Sequence, residues 1–171
     1  MIGADPGVSF AEALSRNGPA WLLAGLQFPG NIGFALRTLE VSGACAVAVA
    51  PAVDGAVRRA ALRASMRADR FMPVAWTTTE DVLSAARSTG RRVVAIEDDE
   101  RAVSPWDADL TGNLLFVAGG ERDGLGSELL RAADAVLRLP MAGVIPAYNV
   151  HAAIAAVAAE RMRQEACVSS K

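Results

Sequence analysis

Short and almost wholly apolar runs recur along this chain, and a segment of helical character separates each run from the next. Runs that are apolar at consecutive positions are typical of strands covered on both faces. Strands and helices that take turns along a chain indicate a mostly parallel sheet. The six predicted strands cover residues 20–26, 44–50, 71–76, 92–97, 113–118 and 135–139.

The segments between these runs predict helices on both faces of the sheet. Thr79, followed by two acidic residues, marks the start of one helix, and Gly90 marks its end. No repeat or linker divides the chain, so we expect one α/β domain over residues 19–165, a loosely packed extension at 1–18 and a tail at 166–171. The predicted helices cover residues 31–42, 54–67, 79–88, 125–133 and 148–164.

The composition excludes several classes of protein. The 171 residues are 52% hydrophobic, yet the apolar stretch at 44–53 is interrupted by Pro51 and falls far short of a spanning helix of ~20 residues. The first 19 residues lack the basic-then-apolar pattern of a secretory leader. With two cysteines and His151 as the one histidine, we expect no metal site. These features favour a cytoplasmic protein with no membrane contact.

The charge balance limits the partners that the chain can bind. It carries 17 basic and 19 acidic residues, so it lacks the overall basicity of many nucleic-acid-binding proteins. A local group of arginines can still contact phosphates. Arg59, Arg63 and Arg67 recur every four residues in a predicted helix, which predicts one basic face. That face is either a phosphate-binding surface or an ordinary solvated surface balanced by nearby acidic residues.

The loops that follow the strands carry the functional signal, because parallel sheets bind ligands beyond the carboxyl ends of their strands. In the first of these loops, residues 27–33, a Pro-Gly pair forces a sharp exit from the strand. Asn31 can cap the helix that follows, and Arg37 lies about a turn and a half inside it. Taken alone, this pattern also fits a helix cap followed by a surface arginine.

Two later loops have equally unusual compositions. Residues 116–125 contain the pair Gly119-Gly120, and paired glycines let a backbone approach a ligand closely. Residues 137–151 hold two prolines and a glycine and lead into an alanine-rich helix that is apolar on nearly all sides. Such a helix is predicted to be buried, in part against a second copy of the chain. Each loop by itself also fits an ordinary turn or helix connection.

Together, the three loops resemble the SpoU (TrmH-like) family of the SPOUT superfamily of S-adenosylmethionine-dependent RNA methyltransferases. The resemblance covers about residues 20–160, and the order and spacing of all three motifs agree. The matching patterns are Asn31-x-Gly33-x-x-x-Arg37-Thr38 with Ser42-Gly43, then Gly119-Gly120-Glu121-x-x-Gly124-Leu125, and then Leu139-Pro140-Met141 with Asn149-Val150.

This resemblance implies a homodimer whose carboxy-terminal segment forms a trefoil knot around the cofactor, S-adenosylmethionine. It also implies that Arg37 reaches toward the cofactor of the partner chain. By position, Asn31 would serve the acceptor, Glu121 would orient Arg37, and Asn149 would brace the cofactor loop. The residues implied to hold the cofactor are Ile96, Glu97, Gly119, Leu139, Met141 and Ala147.

The chemistry of a ribose 2′-hydroxyl gives these residue types a purpose. A hydroxyl is a poor nucleophile, so methyl transfer to it needs a group that accepts its proton or stabilises the developing alkoxide. Arginine side chains stay protonated in proteins, so electrostatic stabilisation and phosphate positioning suit Arg37 better than a role as base.

The chain also departs from the family pattern. It reads Ala147-Tyr148-Asn149-Val150-His151 where the family usually reads Ser-Leu-Asn-Val-Ser, so both hydroxyls of that motif are missing. Arg67 stands where the family commonly has glycine. Many relatives carry an N-terminal RNA-binding domain, whereas fewer than 20 residues precede the first predicted strand here.

These departures leave three hypotheses open. The leading one is methylation of a ribose 2′-hydroxyl in tRNA or rRNA, with Arg63 and Arg67 contacting phosphates. The second is methylation of a small molecule, with Tyr148 and His151 near the cofactor and His151 as general base. The third is a protein that binds cofactor or RNA without catalysis.

Overall fold

A six-stranded sheet forms the centre of the protein in a computed structural model, which describes residues 8–120, 124–145 and 147–169. Every strand pair in it is parallel, and the strand order is β3-β2-β1-β5-β4-β6. The predicted six-stranded parallel sheet is therefore confirmed. The strands are Ala20–Ala24 (β1), Ala46–Ala50 (β2), Val74–Trp76 (β3), Arg92–Ile96 (β4), Leu114–Ala118 (β5) and Ala135–Leu137 (β6).

Helices cover both faces of this sheet, and each face has its own apolar cluster. β1, β2 and β5 are buried at every position, as their continuous apolar runs predict. On one face, the rings of Trp21 and Phe116 from adjacent strands stack with centroids 4.6 Å apart. The helices are Phe10–Ala13 (α1), Pro29–Val41 (α2), Gly55–Ala64 (α3), Thr79–Ser88 (α4), Ser127–Ala132 (α5) and Val150–Ser169 (α6), with a 3₁₀ turn at Ala68–Arg70.

The prediction of a helix over residues 54–67 is wrong at its carboxyl end, because α3 ends at Ala64. Met66 and Arg67 adopt left-handed backbone conformations, with φ of 55° and 63°. The N–H of Arg67 donates to the carbonyl of Leu62 at 3.0 Å, which is the reversal that closes a Schellman-type helix terminus. Arg67 therefore leaves the helical row that Arg63 belongs to.

The described part of the N-terminal extension, residues 8–18, packs against the domain. Ser9 caps α1, and Leu14 is buried against the sheet. The guanidinium of Arg91, itself only 4% exposed, donates hydrogen bonds to the carbonyls of Leu14, Arg16 and Gly18 over 2.6–3.0 Å. These bonds join the extension to the start of β4.

The carboxyl-terminal helix packs along α2 and extends to Ser169, beyond the predicted end at residue 164. Its last turns bind the loop that precedes β5, which packs in the same apolar cluster as α2 and α6. The side chain of Gln164 donates to the carbonyl of Ala108 and accepts from the N–H of Leu110, at 3.0 and 2.9 Å. This contact between the last helix and the loop before β5 is consistent with the predicted trefoil knot. Within the described residues, no helix has the length and apolar character needed to cross a bilayer.

Candidate active site at the carboxyl ends of the strands

The first cavity, of about 530 Å³, lies beyond the carboxyl ends of β4, β5 and β6. Volumes of this size are ordinary for small-molecule sites, which span roughly 300–1,000 Å³. Its walls combine apolar side chains with backbone groups of two glycine-containing loops. All six residues that the resemblance implies for the cofactor line it together: Ile96, Glu97, Gly119, Leu139, Met141 and Ala147.

Glu97 connects the end of β4 to the second motif loop. One carboxylate oxygen accepts the N–H of Leu125 at 2.6 Å, and the other accepts the N–H of Asp98 at 3.0 Å. Gly124 has φ of +61°, and a Cβ there would overlap the Glu97 carboxylate. The backbone conformation thus favours glycine at position 124, and a side chain there would also require the Glu97 carboxylate to move. Glu121 lies outside the described residues.

A side-chain hydrogen bond joins the first and third motifs. The amide of Asn149 donates to Oδ1 of Asn31 at 3.1 Å, although 118 positions separate them. Oδ1 of Asn149 also accepts the N–H of His151 at 2.9 Å, so it caps the start of α6. The Tyr148 hydroxyl donates to the carbonyl of Pro140 at 3.0 Å, which ties the two ends of the third motif loop together. Asn31, Tyr148 and Asn149 all line the first cavity.

The glycine of the first motif has a packing role. Gly33 lies where α2 contacts α3, and a Cβ on it would stand 2.5 Å from the Cβ of Ala64 and 2.6 Å from the carbonyl oxygen of Ala61. Neither neighbour is a flexible side-chain end, so only glycine fits at this contact. The close approach sets the position of α2, and with it Asn31.

Arg37 and His151 lie in a separate groove between α2 and α6, which we call the helix groove. It has a volume of about 420 Å³ and a largely apolar lining that includes Phe34, Val41 and Met162. Nε2 of His151 and Oγ1 of Thr38 share a hydrogen bond at 2.9 Å. The exposed Arg37 side chain therefore lies beside His151 and not among the residues that line the first cavity.

The two arginines predicted to bind substrate lie apart from both of these sites. Arg63 is exposed on α3. The Arg67 guanidinium is held by both carboxylate oxygens of Asp69, at 3.0 and 2.9 Å, and this carboxylate raises the pKa of Arg67. The guanidinium that was predicted to contact a phosphate is therefore paired with Asp69.

The second cavity, of about 700 Å³, lies beyond the carboxyl ends of β1 and β2 and was not predicted from the sequence. Phe28, Gly120 and Gly124 line both cavities, so the two spaces adjoin. Phe28 also occupies the N-cap position of α2 and makes no side-chain cap. The sequence instead predicted Asn31 as the cap, which is wrong because α2 begins two residues earlier, at Pro29, so nothing in the sequence marked Phe28.

Comparison with known proteins agrees with this geometry. The model of the SpoU rRNA Methylase family matches residues 20–159, which include both cavities and all three motifs. The chain is 31% identical over 157 residues to the 23S rRNA (guanosine-2′-O-)-methyltransferase RlmB of Xanthomonas axonopodis pv. citri, an alignment that covers 90% of this chain and 61% of that protein. It is 28% identical to the 23S rRNA (adenosine(1067)-2′-O)-methyltransferase of Streptomyces laurentii, with coverage of 85% and 54%.

A solved structure of an rRNA methyltransferase has a similar fold. The AdoMet-bound rRNA methyltransferase from Sinorhizobium meliloti superposes with a TM-score of 0.80 at 26% identity, over 92% of this chain and 59% of that one. The chain thus spans between 54% and 61% of the length of these relatives. Because the family model covers most of the chain and the strand-end loops carry its motifs, this protein belongs to the SpoU rRNA methylase family.

Proposed function

We propose that this protein transfers a methyl group from S-adenosylmethionine to a ribose 2′-hydroxyl of RNA. One observation carries the proposal: the six residues implied to hold the cofactor line a single cavity at the carboxyl edge of the sheet, beside the hydrogen bond between Asn31 and Asn149. The names of the two relatives described above, both rRNA 2′-O-methyltransferases, support the same acceptor. An rRNA or tRNA acceptor implies a cytoplasmic enzyme.

The chemical character of the first cavity fits S-adenosylmethionine. Ile96, Leu139 and Met141 would offer apolar surface to the flat base of the cofactor, while Glu97 and the backbone of Gly119 would offer partners for its polar atoms. When bound, the cofactor supplies an electrophilic methyl group on a sulfonium, and the broken carbon–sulfur bond leaves a neutral thioether. The residues around it would hold the acceptor oxygen close to that methyl group, and such positioning can supply a large part of the rate.

The acceptor oxygen must pass its proton to a water molecule as it bonds to carbon, and negative charge builds on it where proton loss runs ahead of bond formation. Arg37 is suited to stabilise that charge and to hold the neighbouring phosphate. In one chain, however, Arg37 lines the helix groove and not the first cavity. We therefore infer that the active site is completed by Arg37 of a second copy.

The helix groove supports a homodimer. Phe34 and Val41 of α2 are 51% and 73% exposed, and Met162 of α6 is 46% exposed, although all three are large apolar side chains. They surround the small residues Ala155 and Ala159 of α6. A second copy packed about a two-fold axis would bury this surface and bring its Arg37 to the partner.

A transfer assay tests the activity. The protein is incubated with tritiated S-adenosylmethionine and total RNA from cells that lack its gene, and labelled nucleosides are identified by mass spectrometry. Label in one 2′-O-methylated nucleoside is expected. Arg37→Ala should reduce the rate by about 10²-fold or more, while Arg87→Ala, a matched change at an exposed arginine of α4, should leave it unchanged. The proposal fails if calorimetry detects no S-adenosylmethionine binding or if no RNA nucleoside is labelled.

Mixed dimers test the shared site. Arg37→Ala and Gly119→Val should each be almost inactive. The second change would clash with the backbone of Gly124 and Leu125 and displace the loop that lines the first cavity. Co-expression of the two variants should restore about a quarter of the wild-type rate, since half of the dimers would then hold one complete site. Ultracentrifugation should show a dimer. A monomer, or no restoration on co-expression, would contradict the shared site.

The small-molecule alternative requires both Tyr148 and His151 next to the acceptor. Tyr148 lines the first cavity, whereas His151 is hydrogen-bonded to Thr38 in the helix groove. Among residues 8–120, 124–145 and 147–169, no contact within one chain favours His151 as a base. Label in a small-molecule pool and none in RNA would revive that alternative, and cofactor binding without any transfer would favour the non-catalytic one.

A further inference from the structure

The second cavity adjoins the first, and none of the six residues implied to hold the cofactor lines it. Most of its lining is apolar, including Leu26, Val53 and Val57, with Gln27 and Asp54 as the polar side chains among the described residues. A lining of this kind suits a flat heterocycle with polar edges. Since methyl transfer requires contact between acceptor and cofactor, the acceptor must occupy a space continuous with the first cavity.

Phe28 is the side chain between the two cavities. It is 53% exposed, and it is not needed for the start of α2, because it makes no side-chain cap and Pro29 already favours the helical backbone. An aromatic ring left open on the wall of a cavity is a surface on which a nucleic-acid base can stack.

The start of α3 provides a cation beside the second cavity. Asp54 and Val57, at the beginning of this helix, line the cavity. The guanidinium of Arg59 folds back over the same turn, with Nη1 3.2 Å from the position that a Cβ on Gly55 would take. Arg59 does not line the cavity, so it is placed to reach a phosphate next to a bound nucleoside and not the base itself.

We propose that the second cavity receives the base of the acceptor nucleoside, stacked on Phe28, with Arg59 contacting an adjacent phosphate. Only an unpaired or flipped-out base can enter a cavity beside the cofactor, so the substrate is a single-stranded or looped segment of RNA. This inference rests on the proposed function and adds to it the residues that hold the base.

Variants at Phe28 test the stacking. Phe28→Ala and Phe28→Leu should lower kcat/KM for RNA about tenfold to a hundredfold, while Phe28→Tyr and Phe28→Trp should stay within a few-fold of wild type. The leucine variant separates stacking from apolar contact. The calorimetric affinity for S-adenosylmethionine should change little in all four. Trp106→Ala is the matched control, because Trp106 is also 53% exposed and lines neither cavity.

Photo-cross-linking gives a readout that does not depend on turnover. RNA transcribed with 4-thiouridine should label the peptide that contains Phe28, and Arg59→Ala should weaken RNA binding at low salt. The inference is overturned if the wild type methylates RNA and Phe28→Leu methylates it with an equal kcat/KM. It is also overturned if cofactor affinity falls as much as kcat/KM, since Phe28 would then only bound the first cavity. Failure of the wild type to methylate RNA would refute the proposed function itself, and the inference with it.

Discussion

The contact between Gly124 and Glu97 allows a prediction whose size can be worked out. Replacing Gly124 with alanine forces an L-residue to adopt φ of +61°, which costs about 1 kcal/mol. The new Cβ would also lie 3.0 Å from Cδ of Glu97 and overlap its carboxylate, and overpacking of this kind costs about 1–3 kcal/mol. The expected loss in free energy of unfolding is about 3 kcal/mol.

Removing the carboxylate should relieve most of this cost. In a Glu97→Ala background, Gly124→Ala retains only the backbone penalty of about 1 kcal/mol, so the two changes should be coupled by about 2 kcal/mol. Glu97→Ala by itself removes the hydrogen bond to the N–H of Leu125 and should cost about 1.5–3 kcal/mol.

Urea unfolding of the wild type, both single variants and the double variant measures this coupling, and calorimetry with S-adenosylmethionine measures its effect on the first cavity. Gly126→Ala is the matched control, because Gly126 has φ of −61° and an added Cβ there meets no atom within 4 Å. If Gly124→Ala costs the same in both backgrounds, Glu97 does not constrain this loop and the reasoning is refuted.

Two other predictions concern the helices that support the site. Gly33→Ala should destabilise the protein by about 2 kcal/mol and lower Tm by about 4–8 °C, because its Cβ would meet the backbone of Ala61. Gly30→Ala in the same helix is the control, since its Cβ meets no atom within 4 Å and the change should be neutral. Equal effects of the two changes in differential scanning calorimetry would contradict this prediction. Hydrogen bonds from Arg163 and Gln164 lower the pKa of Glu160 from 4.5 to about 2, so its contribution to stability is complete above pH 4.5 and is lost as the pH falls toward 2. Over that range, Tm of the wild type should fall more than Tm of Glu160→Gln, and parallel curves would show that the interaction contributes nothing.

Local patterns predicted the sheet well but misplaced several element boundaries. Leu26 and Leu139 were assigned to strands because they continue apolar runs, and both are indeed buried, but they lie beyond the ends of β1 and β6. Burial can be predicted from residue type, whereas the last ladder hydrogen bond depends on where the neighbouring strand ends. The end of α3 at Ala64 is likewise not marked by any local pattern, because the residues that follow it are ordinary helix formers.

The sequence alone determined the fold class and the location of the first cavity. Parallel strands place their carboxyl ends at one edge, so motifs that follow different strands must meet there. Tertiary structure alone decided that Arg37 lines the helix groove, that Asp69 occupies the Arg67 guanidinium, and that Phe28 separates two cavities. Each depends on contacts between segments distant in sequence or on the exact course of a loop, and such contacts leave no periodic pattern in the chain.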